Sequence, residues 1–375
     1  MKFLFTCGGT AGHINPALAI AQRIRELMPD AEILFVGAEG NMETELVPRE
    51  GFPITTVKIT NIQRSLKPDK ILHNIKTARN VVTAIAAAKK IIKEFEPDAA
   101  IGTGGYVCYP VLRAASSLRV PTAVHESNAI PGLTTKMLQD KVDKIYVGFE
   151  ESRSNYRKPE KVEVTGTPVR VDFTAIPKET AKERLGLPAD KPLVVSVWGS
   201  LGAAFMNEIM VEFIERAVQK PSFSLIHSAG KRRYADMKQK LSDSGCSDYG
   251  EKGMDIREYI YNMPTVMAAA DLVMCRSGAS TLSELTLLGK PAILVPSPNV
   301  TNNHQEKNAR VLEKAGGARV LTEGEFSADS LLGIVSELLN SPSELEKWSQ
   351  NMRSLYVGNT ADKIARAMIA MAQKN

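Results

Sequence analysis

Cysteine is scarce and scattered in this 375-residue sequence. Cys7, Cys108, Cys246 and Cys275 form no C-x-x-C pair and have no histidine at ligand spacing. That excludes a disulfide framework and a structural zinc site. No apolar run reaches the ~18–20 residues that a membrane span needs. The opening MKFLFTCGGTAGH meets glycine too early for a secretory signal, so the expectation is a cytosolic chain that crosses no bilayer. Low-complexity stretches are missing too, and the 43% hydrophobic and 24% charged residues are those of a folded globular protein. Strong charge of one sign is also lacking. A net charge of +5, without a basic stripe or groove-reading motif, argues against a nucleic-acid partner.

The excess charge is local. From Arg64 to Lys93 the chain carries Arg64, Lys67, Lys70, Lys76, Arg79, Lys89, Lys90 and Lys93 against the single acid Asp69. Within it Ile71, Ile75, Ala78, Val82 and Ile85 share one helical face. Two readings stand: a helix packed on a sheet with a solvated basic face, or an attachment surface for anionic lipid.

The length suits two domains. Short β-branched runs alternate with helical periodicity: strands at Lys2–Cys7, Glu32–Val36, Ala99–Ile101, Thr122–His125, Lys144–Val147 and Val162–Val164, with helices at Pro16–Leu27 and Lys70–Phe95. Parallel sheets covered by helices follow. The pattern restarts at Leu193–Val197 and continues through Leu225–His227, Ala270–Met274 and Ala292–Val295. Strand–glycine loop–helix junctions at Gly8 and Gly199 imply two Rossmann-like units. Pro168 and Pro177 punctuate the segment between them, which predicts domains at 1–166 and 167–375.

Ligands of open α/β sheets bind beyond the carboxyl ends of the strands, and polar or glycine-rich loops stand at nearly all of those ends. Gly8–His13 (GGTAGH) is either a plain strand-to-helix turn or an anion cradle. It is not G-x-G-x-x-G, and no acid closes the next strand, which weakens a dinucleotide reading. Gly102–Tyr106 and His125-Glu126-Ser127-Asn128 follow later strands, and Gly199–Ala203 suits a pyrophosphate. In Cys275–Glu284, Thr281-x-x-Glu284 reads either as a capping box or as an acid placed to accept ribose hydroxyls. Asn302–Asn308 is a run of side chains able to bond sugar hydroxyls. No D-x-D motif occurs, so no metal clamp on a diphosphate is expected; helix N-termini and backbone N–H groups would take that charge instead.

The segments GGTAGHINPALAIA, GTGGYV, HESNAIPG, TGTPVR, GSLGA, CRSGASTLSELTLLGKPAILVP and NHQEKNA, in this order, resemble the MurG family, the peptidoglycan glycosyltransferases of family 28. The resemblance spans almost the whole chain. It implies a GT-B fold, two Rossmann-like domains with parallel sheets separated by a deep cleft, and inverting transfer of GlcNAc from UDP-GlcNAc. The acceptor would be the C4 hydroxyl of MurNAc in lipid I, giving lipid II. It further implies a peripheral enzyme on the cytoplasmic face of the cell membrane, with no cofactor and no metal. The first domain would carry acceptor and membrane contacts, the second the UDP-sugar.

By motif, the donor contacts fall on Thr10, Ala11, Gly12, Asn128, Arg170, Ser200, Ile260, Ala279, Ser280, Thr281, Leu282, Ser283, Glu284 and Gln305. The acceptor and diphosphate loops fall on Gly104, Gly105, Tyr106, His125 and Glu126. His13 stands as the general base, or as a donor that positions the acceptor. Departures from the family pattern are Ala11 for glycine, Ser127 for glutamine, Tyr109 in a small-residue loop, and Trp198 for the glycine before Gly199. A UDP-GlcNAc 2-epimerase would share fold and donor without needing an acceptor loop. A two-lobed periplasmic binding protein would need a signal sequence.

Overall fold

A computed structural model describes residues 1–59, 68–169, 176–199, 202–300 and 303–374, with residues 68–79 described by backbone alone. The chain divides into two compact units, Met1–Val171 with Val357–Asn375, and Asp172–Tyr356.

The first unit alternates strand and helix: β1 (Lys2–Thr6), α1 (Ala11–Leu27), β2 (Glu32–Ala38), α2 (Glu43–Arg49), β3 (Ile54–Val57), α3 (Pro68–Phe95), β4 (Ala99–Gly102), α4 (Cys108–Ser117), β5 (Thr122–Glu126), α5 (Leu133–Leu138), β6 (Lys144–Val147) and β7 (Val162–Val164). All seven strands are parallel, in the order β3-β2-β1-β4-β5-β6-β7. The chain winds outward from β1, crosses back to β4 and continues the other way. The topological switch point, where ligands of open α/β sheets bind, therefore falls between β1 and β4.

Both faces of this sheet are covered, which is why β1 reads as a continuous apolar run rather than an alternating one. Phe3 and Phe5 pack with Ile14, Leu18 and Ile24 of α1, and Phe5 stacks on Phe35 with ring centroids 5.1 Å apart. Each such ring contributes about 1.5–3 kcal/mol by leaving water. Leu4 points to the opposite face, among Val36, Ala100, Val124 and Ala84, Ala88 and Ile92 of α3. Of the apolar stripe expected to run along α3, Ile85 packs in part while Val82 is 68% exposed. Ile71, Ile75 and Ala78 lie outside the described side chains.

The second unit restarts the pattern with α6 (Lys178–Arg184), β8 (Leu193–Val197), α7 (Ala204–Ala217), β9 (Ser224–Ser228), α8 (Tyr234–Asp243), β10 (Met254–Arg257), α9 (Met263–Ala269), β11 (Leu272–Cys275), α10 (Ala279–Leu288), β12 (Ala292–Leu294), α11 (His304–Lys314), β13 (Ala318–Val320), α12 (Ala328–Leu339) and α13 (Pro342–Ser354). Its six parallel strands run β10-β9-β8-β11-β12-β13. The switch point falls between β8 and β11. Val194, Met206, Met210, Phe213, Leu225 and Met274 form the core on one side.

A last helix, α14 (Thr360–Gln373), belongs to the first unit, although a limit at 166/167 would have put it in the second. Ile364, Ala365, Met368 and Ala372 join the Phe3–Phe5 face beside α1. Asp362 pairs with Arg23 at 2.6 Å, and the Thr360 hydroxyl donates to the Thr165 carbonyl at 2.8 Å. No helix among the described residues is long and apolar enough to cross a membrane.

Candidate active site

In the first unit the loops after β1 and β4 touch backbone to backbone. Gly8 N–H donates to the Gly104 carbonyl at 3.2 Å. A Cβ on Gly105 would lie 2.3 Å from the Gly8 oxygen, and Gly105 sits at φ +91°. Only glycine fits that contact. The periodicity places the first helix at Pro16, but it begins at Ala11 with Thr10 as its cap residue. His13 therefore stands in the first helical turn, not ahead of it. Its ring rests on bare Gly104 backbone, where a Cβ would come 2.4 Å from the ring's Cδ2, and the Thr103 hydroxyl donates to the His13 carbonyl at 2.7 Å.

His13 Nδ1 lies 2.9 Å from the Gly8 carbonyl oxygen. A carbonyl only accepts, so Nδ1 carries the proton and neutral His13 keeps the lone pair on Nε2. The loop fixes the tautomer a base requires.

Glu43 is the member of this site that sequence reasoning missed. It is fully buried. One carboxylate oxygen accepts from Ala38 N–H and the other from Gly9 N–H, each at 3.0 Å. Gly8 and Gly37 have no room for a side chain because Glu43 fills it, at 2.4 and 2.6 Å from their would-be Cβ atoms. An acid does therefore stand near the end of β2, but it grips the glycine loop and has no face for a ribose. A second tie comes from Asn41, whose amide donates to the Tyr106 hydroxyl at 2.5 Å.

After β5, Glu126 organises its own loop. Its two oxygens accept from Asn128 N–H, Asn128 Nδ2, Gly132 N–H and the Thr135 hydroxyl, at 2.8–3.1 Å. His125 is wholly buried; Nε2 donates to the Gly166 carbonyl at 2.9 Å and Nδ1 faces the Ser127 hydroxyl at 3.4 Å. Burial pushes its pKa down, so the ring is neutral. These two residues shape the loop from within, and Asn128 is held at its rim.

In the second unit, β8 runs into Trp198 and Gly199. Trp198 turns inward: it is 3% exposed, its indole N–H donates to the Ser196 hydroxyl at 2.8 Å, and the Arg276 guanidinium sits 6.0 Å from its ring centroid. Arg276 also donates to the carbonyls of Val295 and Pro296 at 3.0 and 3.2 Å and pairs with Glu323. The large residue in a glycine's place thus braces the loops beyond β8, β11 and β12 from below. Arg170 and Ser200 lie outside the described residues.

Helix α10 starts at Ala279 with Gly278 as N-cap and no side-chain cap bond. Thr281 is already in the first turn and Glu284 in the second, so the capping-box reading does not hold. Leu282 is buried, while Ser280, Thr281, Ser283 and Glu284 are half-buried. Glu284 stands near the end of β11, where burial and then its carboxylate push the Cys275 thiol pKa up. Gln305 is stapled in place: its amide oxygen accepts from Ser297 N–H at 2.9 Å and its carbonyl accepts from the Ser277 hydroxyl at 2.8 Å. That orientation assigns Nε2, with two donors, to the opposite side of the amide.

The rest of the expected sugar-binding run disperses. Asn303 pairs with Glu306, and buried Asn308 donates to the Ser277 carbonyl at 3.5 Å. Asn302 lies outside the described residues. Ile260, 2% exposed, follows β10 between Tyr259 and Tyr261, whose ring centroids are 4.9 Å apart. No group of three or more His, Cys, Asp or Glu that could hold a metal ion occurs among the described residues.

Comparison with known proteins adds the family. The chain is 43% identical over 364 residues to the UDP-N-acetylglucosamine–N-acetylmuramyl-(pentapeptide) pyrophosphoryl-undecaprenol N-acetylglucosamine transferase of Acetivibrio thermocellus, covering 97% of this chain and 96% of that protein. Among solved structures, MurG of Acinetobacter baumannii superposes with a TM-score of 0.74 at 22% identity, over 98% of this chain and 99% of that one. A UDP-GlcNAc 2-epimerase of Neisseria meningitidis, bound to UDP-GlcNAc, superposes at 0.69 with 15% identity over the full length of both. Transferase and epimerase share this architecture, so fold alone does not separate them; sequence does. Residues 3–147 match the glycosyltransferase family 28 N-terminal domain and residues 193–366 the family's C-terminal domain, and the chain belongs to glycosyltransferase family 28.

Proposed function

We propose that this chain moves GlcNAc from UDP-GlcNAc to the C4 hydroxyl of MurNAc in undecaprenyl-diphospho-MurNAc-pentapeptide, lipid I, and so forms lipid II. The observation that carries the reading is the 43% identity to a transferase of that description along 97% of the chain.

The chemistry follows from the two switch points. An inverting transfer is one in-line displacement, which needs a base for the acceptor proton and a site for the charge on departing UDP. His13 is the base: the Gly8 carbonyl holds the Nδ1 proton at 2.9 Å and so leaves Nε2 to receive the acceptor's. The first unit accordingly takes the acceptor, with Gly104, Gly105 and Tyr106 forming the loop beside His13, while its Thr10, Ala11, Gly12 and Asn128 are contacts for the donor. The second unit takes the donor. The first turn of α10 offers N–H groups to the nucleotide, Glu284 accepts from the ribose, Gln305 donates to the sugar, and the Ile260 backbone meets the uracil. Arg170 and Ser200 complete the donor contacts.

Attachment is peripheral, on the cytoplasmic face of an anionic membrane, through the basic segment from Arg64 to Lys93. Exposed Val82 on α3 supports that reading.

Incubation with UDP-GlcNAc and a lipid I analogue tests the proposal. Disaccharide product and stoichiometric UDP are expected, with UDP-GlcNAc left intact when the acceptor is omitted. Epimerisation of UDP-GlcNAc without acceptor, and no disaccharide with it, would replace the transferase by the epimerase.

A further inference from the structure

The chain leaves the first unit beyond Val171 and re-enters it at Val357. Two segments beside these crossings, 165–167 and 357–360, are fastened to each other. The Thr360 hydroxyl lies 2.8 Å from the Thr165 carbonyl and 2.7 Å from the Val357 carbonyl, so one proton serves outgoing and returning chain. Gly166 sits against them at φ +82°, where a Cβ would come 3.0 Å from both Thr360 Oγ1 and Val357 Cβ. The N–H groups of Thr165 and Gly166 donate to the Val147 carbonyl at the end of β6, at 3.1 and 3.2 Å.

The loop after β5 is fastened to the same place. His125 Nε2 donates to the Gly166 carbonyl at 2.9 Å, and the Thr165 hydroxyl reaches that oxygen at 3.1 Å. A carbonyl only accepts, so the His125 proton is on Nε2 and Nδ1 is left to accept from Ser127. Gly148 closes the contact. Its N–H donates to the Glu126 carbonyl at 2.9 Å, and a Cβ there would lie 2.6 Å from Thr167 Oγ1 and 2.8 Å from the Ser127 carbonyl oxygen. Glu126 in turn holds Asn128 by its N–H and its Nδ2. A continuous run of fixed contacts thus leads from the crossing segments, through His125, to Asn128.

We propose that His125 is a positioning residue for the sugar nucleotide: its bond to Gly166 sets the place of Asn128 relative to the segments that join the two units. The inference rests on the reading of Asn128 as a donor contact. His125 is wholly buried and takes no part in the displacement itself. Asn128 belongs to one unit and most donor contacts to the other, so its place relative to the connecting chain decides whether it reaches the sugar nucleotide.

Steady-state kinetics of the full chain with UDP-GlcNAc and a lipid I analogue test this on His125→Leu, His125→Gln, Asn128→Ala and the double variant His125→Leu/Asn128→Ala. Leucine removes the bond to Gly166 and should raise the UDP-GlcNAc KM about 10-fold. kcat should change little, since His13 is held by a different loop, at Gly8. Glutamine brings an N–H close to the place of Nε2 and should restore the parental KM. Asn128→Ala should raise the same KM and add little in the His125→Leu background, because both changes act through one contact. Loss of kcat with KM unchanged is the mark of mere unfolding and would overturn the proposal. Equal impairment by glutamine and leucine, or additive effects in the double variant, would overturn it too. If His125→Leu does not fold, Thr360→Val decides by loosening the clamp from the returning segment: a smaller rise in the same KM supports the proposal, and an unchanged KM overturns it. A parent that forms no disaccharide, or Asn128→Ala with an unchanged KM, would instead overturn the donor reading beneath it.

Discussion

The two switch points are built on one strand plan and finished differently. Around β1 and β4 the loops close on each other through bare glycine backbone, from Gly8 to Gly104 and Gly105, and the product is one imidazole with a fixed tautomer. Around β8 and β11 no backbone hydrogen bond joins the two loops among the described residues. Trp198 and Arg276 brace them, and with them stand a helix start and the half-buried side chains of Glu284 and Gln305. Close approach serves a group that must be aimed within a few tenths of an ångström. Open loops with helix N-termini suit a large anionic ligand. The proposed function assigns proton transfer to one unit and most of the donor binding to the other, and that division can be broken by experiment.

The largest effect short of the base itself should come from Glu43→Gln. Glutamine keeps the shape but offers one acceptor where Gly9 and Ala38 need two, at 3.0 Å each. The first unit should lose roughly 2–3 kcal/mol of stability in urea unfolding, the cost of a buried N–H without its partner. Turnover should fall with it while UDP affinity holds. Weaker UDP binding in a folded variant would mean that the units do not divide the work as described.

Next in size is Glu284→Gln, which should weaken UDP binding by about 1.5–3 kcal/mol through loss of charge-assisted bonds to the ribose. Since α10 is capped at Gly278, helix stability gives no competing explanation. Unchanged affinity in calorimetry would remove the ribose role.

How much of this was readable beforehand follows from locality. The glycine loops at Gly8, Gly102 and Gly199 stand directly after apolar runs, so their place at strand ends was legible from a few residues. The edge strands β3 (ITTV), β10 (MDIR) and β13 (ARV) were not, because short strands with polar members carry no run to detect. Glu43 was invisible for a different reason. Its role is made by Gly9, 34 positions away, and by the space that Gly8 and Gly37 leave. The assignment of α14 likewise depends on Arg23 and Asp362, 339 positions apart. Local signals also misplaced two helix starts: Pro16 hid a helix beginning at Ala11, and Thr281-x-x-Glu284 imitated a cap that Gly278 supplies.

The smallest effect concerns the membrane. Replacing Arg64, Lys67, Lys70 and Lys76 by Ser should remove about 1 kcal/mol of attraction per charge to anionic vesicles and make the residual binding less salt-sensitive. Equal sedimentation of variant and parent with vesicles would place the attachment surface elsewhere, and neither outcome should alter UDP affinity.

The most direct test is a paired measurement on His13→Ala: kcat with a lipid I analogue, and UDP-GlcNAc affinity. A base held by the Gly8 carbonyl predicts that kcat falls about 10²–10⁴-fold with donor affinity unchanged, because the role belongs to the transition state. Glu126 cannot take over, since its two oxygens already hold four donors. If kcat survives and only the acceptor KM rises, His13 positions the lipid substrate and the base lies elsewhere.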